Sequence, residues 1–403
     1  MTGPLSGICV VDITNVVAGP ACATQLADQG ANVIKVEPLE GDLIRKSAEN
    51  GLPPMFISCN RGKRSIAIDL KRKEAGNVLW RLMERADVFV QNLRPGAMDR
   101  LGFGAEAVLA HNPRLVYCSI SGFGETGPYA GKRVYDPLVQ AMSGFADLQG
   151  EGVEPKMIRT VIADKTTAIY ATQAVTAALF LRERTGEGQH VRVAMLDVML
   201  SMLWPEGMGP FTIIADNGKL PPPSHDRIFK TIDGHITAGS VSDSEWQGLC
   251  RAVNRPDWFS DPNFATQALR GLNKEKRYSQ MAEEFAKHKS ADLIAELDKN
   301  DVPCAPVLRR SEIFEHPQVV NNAIVHELNQ PGVGPIRQPR PAARFAASPA
   351  ETPRPAPELG QHSREILVEL GYADSEIRSL STAGVVEGIG LENYSKGLSS
   401  SRR

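Results

Sequence analysis

The sequence predicts an α/β chain in two parts: a Rossmann-like large domain on a parallel sheet, then a smaller α+β domain. Three observations carry this. From Ile8 to Ser119, short β-branched runs alternate with helical stretches, the pattern of a parallel sheet covered by helices. A Gly- and Pro-rich tract from Pro205 to Ser224 interrupts that pattern, and a hairpin with separate helices follows it. The 403 residues are 42% hydrophobic and 23% charged, which supplies a core and excludes a disordered chain. At roughly 100–200 residues per domain, two or three domains fit this length.

The opening reads as one βαβ unit. A strand at Ile8 to Ile13 leads through Gly19-Pro20 into a helix ending near Gln29 and Gly30, and a second strand runs from Val33 to Val36. Ser65 to Leu70, Glu74 to Arg85 and Val88 to Val90 repeat strand, helix, strand. After a strand at Leu115 to Ser119 comes Gly122-Phe-Gly-Glu-Thr-Gly127, which matches the dinucleotide fingerprint G-x-G-x-x-G. That fingerprint needs a helix starting at its last Gly, whereas Pro128 to Lys132 prolongs the loop and no helical period begins before about Leu138. A turn-rich connection is therefore expected, and Ser119 and Ser121 are read as loop residues.

Thr166 to Glu183 is apolar nearly all round, which predicts a helix buried on most sides. A strand at Gln189 to Met195 then feeds a helix at Leu196 to Leu203. Residues 1–204 form the expected large domain and 205–224, ending in Pro221-Pro-Pro223, a stiff linker. Residues 225–318 form the small domain, with a hairpin turning at Asp233-Gly234 and helices at Trp246 to Val253, Glu275 to His288 and Ala291 to Lys299. Residues 319–403 hold a second linker, irregular and Pro-rich from Gln330 to Glu358, and short helices at Ser363 to Leu370 and Ser375 to Leu380.

With 45 Lys and Arg against 47 Asp and Glu, the net charge is −2, which argues against a nucleic-acid binder. Six scattered cysteines form no CxxC pair, so a reducing, cytoplasmic setting is expected. The first residues lack a signal-peptide pattern and no apolar run reaches membrane-spanning length, so no membrane partner is expected. The eight histidines never fall at HxxxH spacing, and no metal is expected. The absence of G-x-S-x-G argues against a serine hydrolase.

Asp164, in Val161-Ile-Ala-Asp-Lys-Thr-Thr167, precedes the long helix. Its residue type and place fit an N-cap, whose carboxylate accepts backbone N–H bonds. Such a place favours the ionised form, and a carboxylate kept from water is a usable nucleophile toward an activated acyl group. Basic residues cluster in the first half: Arg61, Lys63, Arg64, Lys71, Arg72, Arg94, Arg100, Lys132 and Arg133. Many such residues are solvated surface charge, but several fall near strand-helix junctions, where α/β sheets take anionic ligands.

In this order of motifs the chain resembles the family III CoA-transferases. The resemblance runs almost end to end. It includes Ala18-Gly19-Pro20, Gly30 to Glu37, Asn92-Leu-Arg-Pro-Gly96, Tyr135-Asp136, Arg182 to Gln189, Val302-Pro303 and Leu359-Gly-Gln-His362. It implies CoA transfer between carboxylic acids, with coenzyme A as co-substrate, an acyl-CoA donor and a carboxylic acid acceptor as partners, and Asp164 as the nucleophile. It places CoA contacts at Val17, Ala18, Lys71, Asn92, Leu93, Arg94, Arg100, Arg133 and Tyr135, and an acid near the reacting centre at Asp136. Phosphates call for Arg and Lys, and adenine for apolar contact. The family fold adds an interlocked homodimer, with the C-terminal segment returning to the large domain. A lid that keeps water from the acylated intermediates is expected as well.

Val17 and Ser224 to Ile228 stand where formyl-CoA transferases carry a Gln and a run of glycines, so oxalate specificity is not expected. Pro38 replaces a basic residue of some members, and Trp204, Met208 and His225 are pocket candidates that packing explains equally well. Three alternatives stay open: an acyl-CoA racemase or isomerase, although no His stands beside Tyr135-Asp136; a nicotinamide (NAD)-dependent reductase, resting on the βαβ opening, Glu37 and the G-x-G-x-x-G match; and a non-catalytic acyl-CoA carrier.

Overall fold

The computed structural model describes residues 2–47, 51–150, 154–215, 227–350 and 354–388. Pro221-Pro-Pro223, Ser224 and His225 lie outside them. The chain divides into two compact units, Met1–Met208 with Ala323–Arg403, and Gly209–Asn322.

The larger unit is built on β1 (Cys9–Asp12), β2 (Asn32–Glu37), β3 (Arg64–Ile68), β4 (Val88–Gln91), β5 (Val116–Ser121) and β6 (His190–Ala194). These strands pair in parallel. Their near-continuous Val and Ile content follows from burial of both faces. Because successive side chains alternate, Val11 and Ile34 enter a core with Leu79, Leu82 and Ile366 on one side of the sheet. Val10 and Val33 enter a second core with Leu26, Ala171 and Val175 on the other. That second layer is made by the helices Ala18–Asp28 and Ile162–Thr185. Ser119 and Ser121 belong to β5, so they are strand residues and not loop residues.

The long helix is not enclosed on most sides, as its composition had implied. Ile169, Tyr170, Phe180 and Leu181 are exposed, with Phe180 at 66%. Hydropathy reports what a helix prefers, whereas the neighbours present decide what it buries.

The smaller unit carries β7 (Ile228–Lys230), β8 (His235–Ala238) and β9 (Cys304–Pro306) in one antiparallel sheet. Its helix Asp243–Ala252 starts with a capping box, in which Ser242 and Glu245 satisfy each other's backbone N–H groups. Trp246 and Trp258 stack in its core, centroids 6.1 Å apart.

The tract from Gln330 to Glu358, expected to be irregular, contains one strand. In it β11 (Gly334–Pro339) pairs antiparallel with β10 (Val325–Gln330). Pro335 and Pro339 stand within that strand, and prolines hide a strand from sequence because they cannot donate to a ladder. Two residues near the end, β12 (Val386–Glu387), add antiparallel to β3, completing the order β12-β3-β2-β1-β4-β5-β6. Among the described residues no helix is long and apolar enough to cross a membrane.

Candidate active site

Loops after β1, β4 and β5 enclose a cleft of ≈ 240 Å³. Strand order reverses at β1 and β4, and open α/β sheets take ligands at such switch points.

The first loop is held from beneath. Asp12 Oδ1 accepts the Thr14 N–H at 2.9 Å, while Asp12 Oδ2 pairs with the fully buried Lys63 Nζ at 2.8 Å. Burial alone would raise the Asp12 carboxyl, but Lys63 and Lys35 together hold it below its ordinary value. Val16 then adopts a left-handed φ of 67°, which is strained for a β-branched residue. Asp42 Oδ1 accepts its N–H at 3.3 Å, and Asp42 Oδ2 pairs with Lys35 at 3.0 Å. The turn brings Val17 and Ala18 to the cleft wall.

The second loop joins the first through an amide. Asn92 Nδ2 donates to Asn15 O at 2.8 Å and Asn92 Oδ1 accepts the Asn15 N–H at 2.9 Å. The Asn92 side chain is therefore spent on the loop itself, although Asn92, Leu93 and Arg94 all line the cleft. The third loop is the Gly-rich one. A Cβ at Gly122 would lie 2.5 Å from Val134, and Gly127 has φ +85°. Both allow the chain to double back, so that Lys132, Arg133 and Tyr135 reach the cleft. No helix starts at Gly127; the next one is Asp136–Met142.

Asp164 lies on the cleft wall and is 9% exposed. It is not the N-cap. The helix Ile162–Thr185 is preceded by Val161, which provides no side-chain cap, and Asp164 is its third residue. The carboxyl is also not kept strongly ionised by the helix end. Burial first and the Asp136 charge second raise it from 3.8 to about 7, against a backbone hydrogen bond from Ala18 that favours the ionised form. Asp136, 2% exposed, stands directly behind: its Oδ2 accepts the Asp164 N–H at 3.1 Å. Its Oδ1 accepts from Gln140 Nε2, and Gln140 Oε1 accepts the Ile158 N–H at 2.9 Å. One carboxylate thus fixes the start of the long helix and adds negative charge beside Asp164.

The structure brings Val17, Ala18, Asn92, Leu93, Arg94, Arg133, Tyr135 and Asp164 together. Lys71 and Arg100 do not line this cleft, and Asp136 supports it from behind. Other basic candidates are spent inside the chain, Arg61 on Asp28, Lys63 on Asp12, and Arg64 on Glu365 and Glu369. Glu37 is held by Arg45, Ser65 and the Asp42 N–H, which leaves it poorly placed for a nicotinamide ribose. Trp204 is 49% exposed and does not line the cleft. Val16, Leu43, Phe123 and Met195, which do, were not singled out by sequence reasoning. Met195, first in the helix after β6, had a strand-to-helix junction as its signal; Leu43 had none. Among the described residues no group of three or more His, Cys, Asp or Glu is placed to hold a metal.

The model of "CoA-transferase family III" matches residues 5–363. The chain is 33% identical to succinyl-CoA:glutarate CoA-transferase of Mus musculus over 395 residues, covering 95% of this chain and 90% of that protein. It is 35% identical to succinate--glutarate CoA-transferase of Agrobacterium fabrum over 383 residues, covering 91% and 96%. A crystal structure of a CAIB/BAIF family protein from Brucella suis superimposes with a TM-score of 0.80 at 33% identity, covering 92% of this chain and 100% of that one. The chain belongs to CoA-transferase family III and is an enzyme that moves CoA between an acyl-CoA and a carboxylic acid.

Proposed function

We propose that this enzyme exchanges CoA between short dicarboxylic acids through covalent intermediates on Asp164. What carries the proposal is a carboxyl 9% exposed on a cleft wall that also presents Arg94, Lys132 and Arg133. Ionised Asp164 attacks the thioester carbonyl of the donor. The C–S bond breaks, leaving an aspartyl acyl anhydride and CoA thiolate. The thiolate attacks the aspartyl carbonyl, the donor leaves as its free carboxylate, and an aspartyl-CoA thioester remains. The acceptor carboxylate attacks that thioester to give a second anhydride and the thiolate again. The thiolate then attacks the acceptor's acyl carbonyl, releasing Asp164 and the new acyl-CoA. No proton is gained or lost overall. The Ala18 backbone N–H, which favours the ionised form of the Asp164 carboxyl, serves the oxyanion that develops there.

Acyl-CoA lies along Val17, Ala18, the segment Asn92 to Arg94, Arg133 and Tyr135, with its phosphates toward Lys71 and Arg100. Two supports point to dicarboxylates: the three cationic side chains at the cleft and the succinate and glutarate in the names of the mouse and Agrobacterium relatives. The working form is an interlocked homodimer, supported by the exposed Ile169, Phe180 and Leu181 of the long helix. The free cysteines suit the cytoplasm.

A panel of acyl-CoA donors and free acids, with new thioesters read by mass spectrometry, tests the substrate class. Succinyl-CoA or glutaryl-CoA is expected to exceed formyl-CoA and acetyl-CoA by roughly tenfold or more in kcat/KM. Preference for formyl-CoA with oxalate would overturn it.

Because the attacking form is ionised and the carboxyl is raised to about 7, kcat/KM is expected to climb as pH rises through about 7. Asp136→Asn removes one cause of that elevation while its amide oxygen still accepts the Asp164 N–H. The climb is expected at lower pH in this variant, and superimposable profiles would show that Asp136 does not tune the site.

A further inference from the structure

A second cavity lies on the other side of the loop that follows β4, sharing Arg94 and Pro95 with the active-site cleft. Gln91, Ser119 and His190 belong to its wall. Their hydrogen bonds run in one direction. Gln91 Oε1 accepts the Leu93 N–H at 2.8 Å. Gln91 Nε2 donates to Ser119 Oγ at 3.0 Å. Ser119 Oγ stands 2.8 Å from His190 Nε2. With its oxygen already accepting from Gln91, the Ser119 hydroxyl has its hydrogen left for His190, whose Nε2 accepts in the neutral tautomer protonated at Nδ1. Burial and then Arg192 hold the His190 ring below its ordinary value, against Glu125 and Asp99, which favours that neutral ring.

Gln91 is 8% exposed and Ser119 3%, so this amide has little water to replace a lost partner. On the cleft side, Asn92 fastens the same loop to Asn15. Two successive amides therefore brace the segment from opposite sides, with Gln91 anchored in the sheet and Asn92 in the neighbouring loop.

We propose that Gln91, held in place by Ser119 and His190, is a positioning residue that sets the segment Asn92 to Arg94 for acyl-CoA binding. This rests on the assignment of that segment to acyl-CoA above. The chain acts on affinity and not on the chemical step, because Gln91, Ser119 and His190 do not line the cleft that holds Asp164, and the chain reaches that cleft only through the Leu93 N–H.

Gln91→Leu keeps the side-chain size and removes both hydrogen bonds. It is expected to weaken CoA binding, measured by calorimetry, and to raise the acyl-CoA KM about tenfold, with kcat within about twofold and the acceptor KM unmoved. Gln91→Glu, which keeps an oxygen for the Leu93 N–H, is expected to recover part of the affinity. His190→Phe, at the far end of the chain, should give a smaller loss in the same quantity. The double variant Gln91→Leu/His190→Phe should be no weaker than Gln91→Leu alone, because both break one chain. Additive losses, or a lowered Tm with CoA affinity unchanged, would overturn the proposal. Arg94→Ala separates the two ideas. If it weakens CoA binding and Gln91→Leu does not, the positioning role falls alone; if neither does, the placement of CoA falls with it.

Discussion

Asp164→Asn is expected to lower CoA exchange by more than about 10³-fold while leaving CoA binding measurable. The amide matches the carboxyl in shape, but it does not form the anhydride. The same substitution has a second expected effect, of opposite benefit. The Asp164 carboxyl is raised from 3.8 to about 7 in the folded chain. Below about pH 4 it is protonated whether the chain is folded or not, and it exacts no penalty. As pH climbs from there toward 7, the unfolded chain releases its proton while the folded chain keeps it, so the fold loses stability. Above about 7 the loss is complete. A shift of about three units corresponds to roughly 4 kcal/mol. Asn carries no such cost. The variant should therefore unfold at higher denaturant than the wild type at pH 8, and the gain should shrink toward pH 4. Denaturant titrations at both values, beside an exchange assay, check this. Retained exchange would remove Asp164 as nucleophile. An unchanged midpoint at pH 8 would mean that the carboxyl is not held away from water.

The parallel sheet was legible because its strands are buried on both faces: Val10 and Val11 enter opposite cores, so the run stays apolar without alternation. Asp164 was legible only through its neighbours in sequence and the family resemblance, and its place in the helix was misread because Val161, Ile162 and Ala163 give no capping signal. Polar placement was the least legible. Lys63 looked like surface charge, since its partner Asp12 is 51 positions away and nothing local announces the pair. Asn92 looked like a ligand contact and Gln91 carried no signal, yet their amides reach Asn15 and Ser119 across the sheet end. A hydrophobic pattern repeats along the chain and can be read there. A hydrogen bond between distant loops leaves no period, so only the folded backbone discloses it.

Lys63→Met should be strongly destabilising. The Lys63 ammonium and the Asp12 carboxylate are both 0% exposed. Lys63 also donates to Pro20 O and Asn60 Oδ1, each within 2.9 Å, so its charge is fully hydrogen-bonded. Met fills similar space but leaves Asp12 as a buried charge with only Lys35 to offset it, and orphans two further acceptors. Breaking one side of a buried pair costs about 3–5 kcal/mol, a large share of the roughly 5–15 kcal/mol that holds a typical domain folded. Asp12→Asn alone should destabilise by a similar amount, because it strands Lys63 instead. Asp12→Asn/Lys63→Met removes both charges, and its loss should be smaller than the sum of the single losses by 2 kcal/mol or more, at about the upper range of coupling for contacting groups. Since Asp12 also fixes Thr14, all three variants should loosen the loop that carries Val17 and Ala18. The acyl-CoA KM is expected to rise in each of them at temperatures where the chain is still folded. Additive losses in denaturant titrations would show that the two charges do not sense one another, and the first loop would then need another anchor.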